Sequence, residues 1–376
     1  MRLESLTIAR FVAAIVVVLF HFAREAMGWS GAIVAGPQMV TFFFVLSGFV
    51  MAVTYALRPA CSAGPYLWAR LARIGPLYFV SLALMLASFL ARGRQPAPVD
   101  LALGAAFLQA WVPGHALAIN PPAWSLSVEA FFYALFPLLW IGWRRGQFGT
   151  PRRAIGLALL FWLATQGVLG FALRSETFGA RKWELLHYFP PVHLCSFVLG
   201  IAGGHLWLAR RGSGPKALQA WFQTALAATA VVLALQFPHH LQALSPLPLA
   251  LGASFHAPLF LLLILALADL PQAAFRTRGW RPFVVLGEAS YAVYILQIPV
   301  HHLYGHLIEP RLALGETVHL GLYLLTLVTV SVLAWRFIER PVGRWLKSKG
   351  PQPKAADPKT APAPAGAPMY PAKNRN

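Results

Sequence analysis

The chain has 376 residues, of which 58% are hydrophobic and 11% charged, with mean hydropathy +0.60 and a formal net charge of +19. That is more apolar surface than one soluble core buries, which excludes a soluble domain and requires lipid around part of the chain. The 31 Lys and Arg are scattered through short loops, so the basic folded face of a nucleic-acid-binding domain is excluded as well.

A helix needs ~20 apolar residues to cross the hydrocarbon layer. Ten runs approach that length, at 6–23, 38–57, 75–91, 124–142, 154–173, 190–209, 221–238, 247–268, 283–309 and 317–338. An eleventh apolar segment, 101–112, is too short to cross and suits a re-entrant or buried element. The fold expected is all-α, a polytopic transmembrane bundle of about ten spans plus one re-entrant or short segment. It occupies residues 1–346, and 347–376 form a disordered tail rich in Pro, Ala and Lys.

Charge orients the bundle. With a cytoplasmic N-terminus, Arg58, Arg70 and Arg73, the four arginines from Arg144 to Arg153, the loops at 210–216 and 276–281 and the basic C-terminus all lie inside. This is the positive-inside pattern of a multi-pass protein in the plasma (inner) membrane, with both termini cytoplasmic. Counting 101–112 as a span would move the four-Arg loop outside. No small-residue cleavage site follows Phe22, so the first helix reads as a retained anchor. Cys61 and Cys195 fall on opposite leaflets and are not expected to pair. No Cys or His cluster has metal-ligand spacing, so no metal is expected, and no internal repeat is visible.

Function should lie in polar residues placed where lipid makes them costly. Arg10 and His21 share the first helix, and eleven residues return them to nearly one face, ~16 Å apart. An arginine at that depth faces a cavity, a partner or the headgroups rather than lipid. In the segment 121–139, Ser125 and Glu129 are four residues apart on one helical face. Glu129 either rests against the helix dipole or, in the same leaflet as His21, orients that imidazole as a general base for a hydroxyl. Arg70 and Arg73 stand one turn apart before the Gly75-Pro76 pair, which is expected to start a helix. They suit phosphate oxygens and the positive-inside rule equally. Ser47 and Gly48 sit in an apolar helix as a packing or tunnel-lining pair.

These residues fall in an order that resembles the acyltransferase-3 family of integral membrane O-acyltransferases. The signatures are Arg10 with Phe20-His21, FFFVLSGF at 42–49, the RxxR of Arg70 and Arg73, PAWSLSVE ending at Glu129, LGEASYAVYIL at 286–296 and FIERPV at 337–342. Members acylate O-antigens, exopolysaccharides, Nod factors and some macrolides. The resemblance implies acyl-coenzyme A, expected to be acetyl-coenzyme A, as cosubstrate, with no bound cofactor. It also implies a saccharide or lipid-linked sugar acceptor in the cell envelope. His21 is then the catalytic base with Glu129 as its companion, and Arg10, Arg70 and Arg73 bind or position the donor. Ser47, Ser125, Tyr291, Tyr294 and Gln297 are possible tunnel or acceptor contacts. Gln297 stands where many relatives carry a histidine; an amide hydrogen-bonds but is no base at neutral pH.

By physics alone, a transporter or flippase of a lipid-linked saccharide would use the same buried Arg, His and Glu. The missing repeat weighs against it. A catalytically silent scaffold on the same fold is the third reading.

Overall fold

A computed structural model describes residues 3–23, 35–56, 62–174, 179–211, 214–246 and 248–351. Arg58, Cys61 and the tail from 352 on lie outside these residues. Within lipid the backbone has to satisfy its own polar groups, so apolar runs fold as helices. In chain order these are α1 (Glu4–Phe22), α2 (Gly36–Tyr55), α3 (Ala63–Ala91), α4 (Pro98–Ala105) and α5 (Trp124–Arg144). Next come α6 (Pro151–Leu173), α7 (Ala180–Tyr188), α8 (Leu194–Ala209), α9 (Ala217–Gln236) and α10 (Pro238–Ala243). The last are α11 (Ala257–Asp269), α12 (Arg281–Glu288), α13 (Ser290–Leu307), α14 (Glu316–Ala334) and α15 (Arg340–Lys349).

Among the described residues, eight helical stretches are long and apolar enough to cross a bilayer, and a pair bent by 54° between Glu288 and Ser290 makes up to nine. The protein is an all-α, polytopic integral membrane bundle. The expected span at 247–268 is the exception. Only α11, of 13 residues, forms there, because Pro246, Pro248 and Gly252 break the apolar run into turns before Pro258 opens the helix. Segment 101–112 does not cross: it is the end of the eight-residue α4 and a 3-10 turn at Gln109–Trp111. Tyr78 Oη donates to the Gly104 carbonyl at 2.6 Å and Gln109 Nε2 to the Ala123 carbonyl at 2.8 Å, pinning this segment between α3 and α5.

Two boundaries differ from the hydropathy reading. Gly75-Pro76 does not start a helix but lies inside the 29-residue α3, so Arg70 and Arg73 belong to the same rod as the apolar run. Membrane helices tolerate an internal proline where neighbouring groups compensate the lost N–H. The last span also continues through a π-helical turn, Trp335–Glu339, into α15, giving one stretch from Glu316 to Lys349. Residues 347–349, expected in the tail, are therefore helical.

The centre of the bundle is α2 against α8, the most buried of the long helices. Small residues let their backbones touch: a Cβ on Gly48 would lie 2.1 Å from the Phe197 carbonyl oxygen, and one on Gly200 would lie 2.0 Å from that of Val45. Gly200→Ala is therefore expected to cost ~1–3 kcal/mol through overpacking. Thermal unfolding in detergent checks it, with Gly167→Ala, where nothing lies within 4 Å, as the neutral control. At the periphery, α6 and α9 leave Leu160, Phe171, Leu218 and Phe222 exposed, as lipid-facing helices do.

Candidate active site

A cavity of about 560 Å³ lies among the helices of the bundle. Helix α2 runs along it from Val40 to Thr54, ~21 Å at 1.5 Å per residue. Arg10 comes from α1, Ser47 from α2, Arg70 and Arg73 from α3, Ser125 and Glu129 from α5, and Tyr291 and Tyr294 from α13. Eight of the residues singled out in the sequence thus converge on one space, although their segments are far apart in the chain.

Each wall is set by its own bonds. Arg70 of α3 lies 5.8 Å from the Tyr55 ring centre and 5.9 Å from those of Tyr66 and Tyr133. Its Nη1 donates to Met51 Sδ at 3.6 Å, and its buried Nε has no hydrogen-bond partner among the described residues. The guanidinium is held by aromatic faces rather than by a carboxylate, which leaves its charge for a ligand. Tyr291 Oη donates to the Ile74 carbonyl at 2.7 Å. Tyr294 Oη and Ser125 Oγ lie 2.8 Å apart, and each reaches the Pro122 carbonyl at 3.0 Å.

The expected contact between Glu129 and His21 is not made. Glu129 accepts a hydrogen bond from Tyr133, four residues on along α5, and feels the charges of Arg10 and Arg70. Glu129 shares the cavity with these arginines, whereas His21 lies eleven residues beyond Arg10 on α1. Tyr133 went unnoticed in the sequence; its i, i+4 spacing from Glu129 was the available signal.

His21 itself sits just beyond the cavity. Phe20 packs directly on Gly36, where no Cβ would fit, and Val40, one turn along α2, lines the cavity. Gln297, fully buried, approaches His21 Nδ1 at 2.8 Å through Oε1, and its Nε2 donates to the Tyr294 carbonyl at 2.7 Å. Since only the amide NH₂ can donate to a carbonyl, Oε1 has to face the imidazole. Nδ1 therefore carries the proton, and in the neutral ring Nε2 is the basic nitrogen. The Gln297 carbonyl accepts from Tyr323 at 2.9 Å, while the His21 side chain stays exposed. Gln297 thus orients the His21 ring through Nδ1.

A match to the acyltransferase domain spans residues 3–336. The chain belongs to the acyltransferase-3 family. Acyltransferase MdmB of Streptomyces mycarofaciens is 30% identical over 96% of this chain and 97% of its own length. Protein 2 in picA locus of Rhizobium radiobacter is 34% identical over 32% of this chain and 75% of its own length. No solved structure matches. The acyltransferase-3 assignment makes the protein a membrane O-acyltransferase that binds an acyl donor and an acceptor. In this acyltransferase-3 chain the cavity also takes in Trp335, Glu339, Arg340, Arg344 and Lys347. Sequence reasoning quoted Glu339 and Arg340 within FIERPV without giving them a role.

Proposed function

We propose that the enzyme transfers an acyl group, preferentially acetyl, from acyl-coenzyme A to a hydroxyl of a saccharide or glycolipid of the cell envelope, as in exopolysaccharide or O-antigen modification. The single observation carrying this is a cavity lined by arginines and, just beyond it, a histidine whose Nδ1 is held by Gln297. In this reading both termini and the arginines face the cytoplasm across the inner membrane, where the donor is found, and His21 lies toward the outer leaflet.

The nucleotide stays at Arg70 and Arg73 while the acyl-bearing arm lies along α2 and delivers the thioester past Tyr294. His21 Nε2 takes the proton of the acceptor hydroxyl as its oxygen attacks the thioester carbonyl. The tetrahedral intermediate expels the coenzyme A thiolate, which recovers the proton from the imidazolium, leaving an ester and free thiol. Glu129 acts at a distance here: it balances Arg10 and Arg70 and holds the wall through Tyr133. Ser47 and Ser125 line the path.

Purified protein in lipid nanodiscs, given acetyl-coenzyme A and an envelope glycan fraction, is expected to release coenzyme A thiol in step with ester formation. No thiol release, together with saccharide movement across proteoliposomes, would replace this reading with a carrier. Glu129→Gln tests the indirect role: the expected result is a raised donor KM with less change in kcat, because no bond to His21 is lost. Equal loss of kcat and kcat/KM would instead put Glu129 in the transition state.

A further inference from the structure

The cavity is also lined by cations that the chemistry above does not use. Arg340, Arg344 and Lys347 recur at i, i+4 and i+7 on α15, which puts them on one face, and all three line the cavity while remaining exposed. The ion pairs formed among the described residues, His115–Asp100 and Arg210–Asp269, lie elsewhere. No carboxylate is therefore salt-bridged to this row within the described residues. Glu339 on the wall is in electrostatic range of Lys347, Arg73 and Arg10.

The row is held rigidly toward the cavity. Gly343 packs on the Ala72 carbonyl, closer than a Cβ would allow, and Trp68 Nε1 donates to the Leu346 carbonyl at 2.6 Å. These contacts fix which side of α15 is buried. The π-turn sets the phase: the Arg340 N–H bonds the Trp335 carbonyl five residues back. In a plain α-helix, residues five apart point about 140° away from each other. Here the Arg340 guanidinium lies 5.0 Å from the Trp335 ring, and both line the cavity. A widened turn of this kind commonly marks a functional site.

From Arg340 to Lys347 the row extends ~10 Å along the helix. Three cations over that length match a ligand with phosphate groups at two separate positions better than one carrying a single charge. We infer that Arg340, Arg344 and Lys347 form a polyphosphate-binding row that grips the phosphates of the donor's nucleotide, including its 3′-phosphate. This rests on the acyl-coenzyme A reading and adds the residues that tell coenzyme A from its truncated forms. A lipid headgroup phosphate presents the same chemistry, so the test has to separate the two.

The full chain in zwitterionic nanodiscs is titrated with coenzyme A, 3′-dephospho-coenzyme A and pantetheine, reading tryptophan fluorescence with calorimetry as a check. Wild type is expected to bind coenzyme A at least ~10-fold more tightly than the dephospho form, the scale of a charge-assisted contact. The double variant Arg344→Ala/Lys347→Ala is expected to lose that preference yet bind pantetheine like wild type. Arg344→Lys/Lys347→Arg is expected to keep it, and matched melting temperatures show that each variant is folded. A preference that survives the double alanine substitution overturns the inference. So does wild type binding coenzyme A and its 3′-dephospho form alike, which leaves the donor reading standing. If wild type binds none of them, the donor reading fails and this inference with it. If the substitutions only reduce anionic phospholipid carried through purification, the row holds lipid and the inference is wrong.

Discussion

His21→Ala lowers kcat by about 10²–10⁴-fold, the usual contribution of a positioned general base, and leaves donor KM nearly unchanged because the side chain is outside the cavity lining. The acid limb of the pH–rate profile, which reports the neutral imidazole, disappears with it. Gln297→Leu separates orientation from chemistry. It removes the acceptor that holds Nδ1–H and the amide's anchoring bond to the Tyr294 carbonyl. By analogy with histidines that lose an orienting partner, about 10- to 100-fold of rate is lost. Gln297→Glu keeps an acceptor at the same place and is expected to retain most activity. If Gln297→Glu is as inactive as Gln297→Leu at equal stability, tautomer control is not what Gln297 provides. Steady-state kinetics on the variants, with membrane levels matched, reads all of these results.

Arg70→Lys is expected to raise donor KM by about 10-fold or more, the scale of a charge-assisted hydrogen bond, although the charge is kept. The reason is shape. Three tyrosine rings at 5.8–5.9 Å surround a planar guanidinium, and a lysine ammonium cannot offer a plane to all of them or a two-toothed face to phosphate. Arg70→Ala should be worse still, since it also empties space between Tyr55, Tyr66 and Tyr133. Tyr133→Phe removes the bond to Glu129 but keeps the ring, so it is expected to change KM less than either. Donor titrations with the three variants decide the ranking; an Arg70→Lys enzyme with wild-type KM would show that the aromatic frame does not position the charge.

Much of this site was legible in the sequence because polar residues in apolar helices stand out whatever their partners. Arg10, Arg70, Arg73 and Glu129 were visible for that reason, and they do line one cavity. Their mutual distances were not visible. Glu129 pairs with Tyr133 rather than His21, and His21 with Gln297, 276 residues away. Helix periodicity places a residue on a face, but which faces meet depends on packing contacts such as Gly48 on Phe197 and Phe20 on Gly36. Hydropathy likewise found the long helices and the short segment at 101–112. It misjudged 247–268 because a window average counts the leucines and ignores the prolines among them. The π-turn had no sequence signal at all, since one extra residue per turn leaves composition unchanged. With it went the phase of Arg340, Arg344 and Lys347 relative to the preceding span, and the three read from the sequence as ordinary positive-inside charge.

The most direct measurement follows labelled acetyl groups. A strain lacking the gene is complemented with wild type or His21→Ala at equal membrane levels, and its membranes are supplied with labelled acetyl-coenzyme A and assayed for label on envelope glycan. Label incorporated with wild type and lost with His21→Ala is the expected result. Equal labelling by His21→Ala would contradict the base assignment, and no label on any glycan with wild type would contradict acyl transfer from coenzyme A to a saccharide.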